Sequence, residues 1–406
     1  METQHYQATD NFREILPGRL KGPLDKVFGA AAAHRLQIIY TRIDRDDKQQ
    51  PHFTDYRFGT GEGYYCYPAS TVKLPGAILA LEKLNNLGIT GLNPDTPMLT
   101  DPLPGINPGV QHDHSAAGKL PSISHYIKKI FLVSDNDAFN RLYEFIGQET
   151  FNRRLWELGF RQARILHRVG LPLHSEANRH TNPVTFRIGR QLLYEQPAAY
   201  SELQFGPRND LAGTAHIDHR GKKIDAPMDF SHRNRLPLVC LHEIMHRLFF
   251  PSTVTKEQRF RLTENDQRFL YHWMSRYPEE STNPAYDREQ YHQAYTKFLL
   301  YGGQKDLAIP DHIRIYNKPG WAYGFLTDTA YIVDTSNKIE FLLSASLLVN
   351  HDGMLGDDQR AFEETGKPFL KALGEMIYEI EKRRERKYLP DFHHLKADFH
   401  PYTIIK

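Results

Sequence analysis

Strand-forming residues cluster near both ends of this chain and leave a long helical stretch between them, and that arrangement limits the fold more than any other feature. Near the start, a helical pattern over residues 23–34 leads into Leu36, Ile38, Ile39 and Tyr40, a β-rich run. Near the end, Ile313, Ile315, Phe325, residues 331–333 and residues 339–349 form further β-rich runs, followed by a helix over 357–384. That helix has Phe362, Phe369, Leu370, Leu373 and Ile377 at apolar positions and a basic end that suits the helix dipole. Helices are expected at 70–87, closed by Gly88, and at 122–133, 137–146, 149–158, 238–250, 257–275 and 287–301. Residues 92–121 read as loop, and residues 195–232 as a hairpin or lid. Strands at both ends of one chain imply one antiparallel sheet built from both termini and flanked by terminal helices, with an all-helical subdomain inserted: an α/β plus all-α fold. The expected division is an extension over 1–22, one domain over 23–390 and a tail over 391–406. The α/β part of that domain is 23–68 and 312–390. Its helical part is 69–311, with an insertion near 190–232.

The balance of 51 basic against 49 acidic residues leaves a net charge of +2, which gives no electrostatic case for a nucleic-acid partner. No apolar run is long enough to span a bilayer, and the first residues lack the charged-then-apolar pattern of a secretory signal. Two cysteines, Cys66 and Cys240, allow at most one bridge. Nothing in the sequence fixes an oligomeric state.

Three short motifs carry the chemistry. Ser70-Thr71-Val72-Lys73 is the only Ser-x-x-Lys in the chain. At helical spacing its hydroxyl and amine share a face. A serine hydroxyl needs an adjacent base to become a nucleophile, and a lysine whose pKa is lowered by burial or a neighbouring cation can be that base. Ser134-Asp135-Asn136 lies between two expected helices. Either it is a helix cap, which those residue types favour, or Ser134 relays a proton and Asn136 offers its amide to a substrate or to Lys73. Lys318-Pro319-Gly320 reads as a strand-end turn, or as a strand on which Lys318 holds an anionic group and Gly320 admits a substrate close to the backbone.

Taken in order, the three motifs resemble the Ser-x-x-Lys, Ser-Asp-Asn and Lys-Thr-Gly signature of class A β-lactamases and penicillin-binding proteins. Residues 67–70, 131–138 and Arg179-His180-Thr181-Asn182-Pro183 are similar to that family's nucleophile segment, second motif and omega-loop end. The likeness runs from about 23 to 386. It implies a β-lactamase-like (DD-peptidase-like) fold and a serine hydrolase that needs no cofactor. Ser70 would attack a carbonyl, Lys73 would take its proton and Ser134 would pass it to the leaving nitrogen. Asn136, Lys318 and Gly320 would bind a small substrate: a β-lactam, peptide or ester. The backbone N–H groups of Ser70 and Trp321 would form the oxyanion hole. The resemblance also implies a periplasmic or secreted location. Two positions depart from the family. Pro319 replaces a hydroxyl residue. In the stretch 165–176 the only acid is Glu176, too near Arg179 to match the glutamate that activates the deacylating water. The aromatics Tyr64, Tyr65, Tyr67, Trp321 and Tyr323 either line a cleft or pack.

A competing motif is His242-Glu243-Ile244-Met245-His246, the His-Glu-x-x-His pattern of zinc peptidases, in which His242 and His246 bind the metal and Glu243 is the base. The alternative is a packed helix with the two histidines on its partly exposed flank. A third class is a catalytically inert ligand-binding relic of the β-lactamase-like fold.

Overall fold

A computed structural model describes residues 10–61, 65–105, 107–218, 220–350, 352–356, 359–396 and 402; Tyr64 and Asp357 lie outside them. The central sheet is antiparallel and is built from both termini. Its strands run in the order Ile313–Asn317, Phe325–Asp334, Ile339–Leu348, Gln37–Arg45, Pro51–Phe58. The short strand Gly320–Ala322 also pairs with Phe325–Asp334, opposite Thr327 to Phe325. Ile38 sits opposite Ala345 and Tyr40 opposite Leu343, so the first long strand of the chain is clamped by one of the last.

Alternation along the strands gives the sheet two apolar faces. Ile38, Tyr40, Ile332, Leu343 and Leu347 face one core together with Phe369, Leu370, Leu373 and Ile377 of the terminal helix Lys367–Arg383. Ile39, Ile43, Tyr331, Val333 and Leu342 face the other core, shared with the inserted helices. The helix Lys73–Leu87 lies in that second core and is buried continuously from Lys73 to Glu82, as a helix apolar on all sides should be.

The expected fold class holds, with local corrections. The inserted part is not purely helical: short strands at Met98–Thr100, Val184–Ile188 and Gln191–Gln196 form a small sheet, and the segment after it adds two-residue strand pairs. The helix expected from 257 starts at Glu264. Thr263 caps it by accepting from Asp266 N, while the Asp266 carboxylate accepts from Thr263 N, so the cap fixes the start. Residues 287–301 are not helical. The backbone N–H groups of Phe298 and Leu299 donate to the buried carboxylate of Asp328, and Lys297 reaches the carbonyls of Met274 and Ile315. These tertiary bonds override a favourable helix propensity. The last helix is interrupted by a π-helical turn at Phe362–Gly366 before Lys367–Arg383. Cys66 and Cys240 are unpaired. Among the described residues no helix is long and apolar enough to cross a membrane.

Candidate active site

Ser70 lies on a single 3-10 turn, Ala69–Val72, that runs directly into the helix Lys73–Leu87. The turn is held by Thr71, whose N–H and hydroxyl both donate to the carbonyl of Pro68 at 3.0 and 2.7 Å. Ala69 has φ +44°, a left-handed conformation costly for a residue with a side chain and the kind of strain that collects at working sites. Ser70 itself is half-buried.

Lys73, one helical turn on, is fully buried. Its ammonium donates to the carbonyl of Ser134, to Ser134 Oγ at 3.2 Å and to Asn136 Oδ1 at 2.6 Å. Burial lowers its pKa to about 7, and the nearby charge of Asp135 opposes the shift only in part. Near neutral pH the amine is therefore present in both forms. A neutral amine has two donors and one lone pair, so it must give up one of the three contacts, and that lone pair is able to accept a proton.

The Ser-Asp-Asn segment caps a helix and also brings two side chains to Lys73, Asn136 as an acceptor through Oδ1. Asp135 is the cap, accepting from Ala138 N at 2.8 Å at the start of the helix Asn136–Ile146. Ser134 closes the helix Ile123–Val133 in a left-handed conformation, φ +59°, and together with Asn136 turns toward Lys73. Ser134 Oγ also accepts from Lys318 Nζ at 2.8 Å, so two buried amines converge on one hydroxyl. Burial, then the charge of Lys73, holds Lys318 well below the usual lysine range.

Lys318 and Pro319 lie between the strands Ile313–Asn317 and Gly320–Ala322, and the register against Phe325–Asp334 runs through them unbroken. They form a strand interrupted at a proline, which lacks the ladder N–H, and not a turn. A side chain at Gly320 would put its Cβ 2.7 Å from Pro68 O and 2.8 Å from Ser70 N. The glycine is thus what lets this strand edge lie against the N–H of Ser70. Trp321, the next residue, is half-buried with its ring against Phe298.

The loop 165–180 forms another wall. It is pinned by a fully buried ion pair, Arg168 Nε to Glu144 Oε1 at 2.6 Å, with Asn107 and the backbone N–H of Asn182 completing the carboxylate. Asn140 fixes Val169 through both its N–H and its carbonyl. At the point where this loop meets Asn136 stands Gly170, with φ +73°; a Cβ there would lie 2.6 Å from Asn136 Nδ2. Glu176 is an exposed residue of the helix Ser175–Arg179, 3.9 Å from both Arg179 and His180. Neither position brings a carboxylate to Lys73.

Beneath Lys318 the structure holds a buried network that sequence reading missed. Asn317 donates to Asp328 and accepts from Lys297 at 2.8 Å. Burial raises Asp328 to about 6 and lowers Lys297 to about 7. The signal was present: a charged residue in the middle of a strand, with apolar or hydroxylated residues on either side. Arg168 and Glu144 gave no comparable signal, because they are separated in sequence and look like ordinary surface charges.

The residues of the His-Glu-x-x-His motif are engaged within the fold. His242 is buried, not on an exposed flank, and both its ring nitrogens are committed at 2.8 Å, Nε2 to Thr41 Oγ1 and Nδ1 to Ser344 Oγ. Thr41 gives its own hydrogen to Asp55, so Nε2 carries the proton and donates. Burial lowers this histidine to about 4, which keeps it neutral. Glu243 pairs with Arg247 at 2.8 Å, and the His246 ring packs on Phe53. The motif is a helix-to-sheet bolt. Of the aromatics, Tyr65 and Tyr67 are buried and pack with Phe230, and Tyr67 meets Tyr323 edge-on.

Residues 23–194 match the β-lactamase enzyme family. That span, less than half of the chain, takes in Ser70, Lys73, Ser134, Asn136 and the loop 165–180, and over it the chain is β-lactamase-like. Among solved structures, a β-lactamase from Xanthomonas campestris pv. campestris is 15% identical, with 88% of this chain and 100% of that chain covered and a TM-score of 0.45. The β-lactamase from Streptomyces albus G is 14% identical over 87% and 98%, with a TM-score of 0.43. A mutant of PBP-A solved as an acyl-enzyme complex with penicillin G is 13% identical over 90% and 99%, with a TM-score of 0.47. No curated protein sequence matches the chain.

Proposed function

We propose that this chain is a serine hydrolase that forms an acyl-enzyme on Ser70 with β-lactams or related amides and esters. The observation that carries the reading is the convergence of Lys73 and Lys318 on Ser134 Oγ beside a serine whose N–H lies against Gly320. Neutral Lys73 takes the hydroxyl proton as Ser70 Oγ bonds to the substrate carbonyl carbon. The carbon–nitrogen bond then breaks, and the proton reaches the leaving nitrogen through Ser134 Oγ. Backbone N–H groups of Ser70 and Trp321 stabilise the oxyanion, a contribution of about 3 kcal/mol per donor. Lys318 holds the anionic group of the substrate, with Asn136 and Gly320 beside it. Pro319 offers no hydroxyl for that group. Hydrolysis of the ester needs a base for water, and Gly170 and the exposed Glu176 supply none near Lys73, so the acyl-enzyme is expected to persist. A periplasmic or secreted location belongs to the same proposal.

The test is intact-protein mass after incubation with a penicillin, for wild type and Ser70→Ala. A lasting adduct on wild type alone supports the reading. Drug consumed without an adduct, and only by wild type, keeps Ser70 as nucleophile but rejects slow deacylation. If wild type neither gains mass nor consumes penicillin or an activated ester, the hydrolase reading fails and the inert relic takes its place.

A further inference from the structure

Between the loop 165–180 and the segment 204–233 lies a cleft of about 530 Å³, within the size range of small-molecule sites. Arg164, Arg179, Arg208 and Arg233 line it, against one lining carboxylate, Asp229. Arg208 is paired with Asp210, and Arg179 is spent largely on the carbonyls of Ser201 and Leu203. Arg164 donates to the Gly206 carbonyl and lies over Phe205, while Arg233 lies over Tyr323. Among the described residues neither of these two has a carboxylate within 4 Å. The guanidiniums crowd one another: burial, Arg235 and Arg164 together push Arg208 down to about 10. A cleft lined by one sign of charge favours a counter-ion, and guanidinium forks suit carboxylate and phosphate oxygens.

His167 is buried, lines the same cleft and stacks on Tyr67. Its Nδ1 lies 2.5 Å from the carbonyl of Arg168, which cannot donate, so Nδ1 carries the hydrogen. Nε2 is then a bare acceptor, buried and without a hydrogen-bonding partner among the described residues. Burial lowers this ring to about 4, which keeps it neutral at pH 7. Nε2 is closed to solvent, so this neutral ring serves as cleft wall and adds no charge to it.

We propose that this cleft binds a multiply charged anionic group, a phosphate or polycarboxylate, through Arg164 and Arg233. It adjoins the Ser70 site through Tyr67, which lies three residues before that serine, but it is distinct from the anion position at Lys318.

The test is isothermal titration calorimetry of the full chain carrying Ser70→Ala, with inorganic pyrophosphate and, separately, citrate. The Ser70→Ala background makes the result independent of acyl-enzyme chemistry, so either proposal can fail alone. Saturable binding of one probe per chain is expected, weakened about tenfold by Arg233→Gln and again by Arg164→Gln. Binding of pyrophosphate alone assigns a phosphate ligand, and of citrate alone a polycarboxylate. Among the described residues Arg233 makes no side-chain hydrogen bond and has only its ring contact with Tyr323 and its charge beside Asp229 to lose, so Arg233→Gln serves alone if the Arg164 variant fails to fold. No binding of either probe overturns the proposal. So does binding that ignores the cleft arginines, or that is lost with Lys318→Gln instead.

Discussion

Lys73 is the residue on which the proposed chemistry turns, and its burial makes its behaviour measurable. An exposed lysine would be protonated at pH 7 and useless as a base. Here burial brings the pKa to about 7, with Asp135 opposing. Below that value the ammonium keeps its proton and cannot accept another from Ser70; above it the amine is free to do so. The rate of acylation is therefore expected to rise about tenfold per pH unit below 7 and to level off above it. Single-turnover mass measurements between pH 5.5 and 9 with a penicillin would show this. A rate that is flat across pH 7 would remove Lys73 from the role of base. At this scale the site was legible in part. Ser70, Lys73, Ser134, Asn136 and Lys318 could be found from motif spacing because each motif is local in sequence. Asp328 and Lys297 could not be placed under Lys318, because only the pairing of distant segments brings them there.

At the scale of elements, the loop 165–180 shows what holds a wall of the site in place. It has little regular structure, yet Arg168 and Glu144 are both fully excluded from solvent and the carboxylate's other partners are satisfied by Asn107 and Asn182. Removing one member of such a pair leaves the other charge buried and uncompensated, a loss of about 3–5 kcal/mol. Arg168→Met is expected to lower stability by that amount in urea unfolding and to loosen the loop, because Arg168 also donates to the carbonyl of His180 at 2.6 Å. A loss below about 1 kcal/mol, the scale of a surface pair, would mean that the asparagines hold the loop without it. The elements themselves were mostly legible where periodicity or capping fixes them, as in Lys73–Leu87 ending at Gly88 and Ile123–Val133 capped by Ser122. Residues 287–301 were not, because their helical composition is overruled by bonds to Asp328, which lies on a strand 30 residues away.

For the molecule as a whole, the sheet is closed only when the two ends of the chain meet. Gln37–Arg45 lies between Pro51–Phe58 and Ile339–Leu348, so its second partner arrives nearly 300 residues later. Joining such distant strands carries a loop-closure cost that local contacts do not offset, and the terminal helix must then cover the face so formed. Phe369, Leu370, Leu373 and Ile377 on that helix are all fully buried. At about 1.5–3 kcal/mol each, their burial contributes an amount comparable with the whole stability of a typical domain, about 5–15 kcal/mol. The helix also lies tightly against the segment before the third motif: a Cβ at Gly374 would come 2.3 Å from Leu300 N. A chain ending at Gly366 is therefore expected not to fold, with no cooperative thermal transition and no near-ultraviolet circular dichroism. A chain ending at Lys387 keeps the helix and its bond between Glu381 and Tyr40, and loses mainly the buried ring of Phe392 and the contact of Tyr402 with Asp266. It is expected to fold with a stability lower by about 1.5–3 kcal/mol and to keep the Ser70 site. If the shorter chain melted cooperatively, the inserted part would be an independent folding unit. Closure of the sheet would then not be what assembles the site.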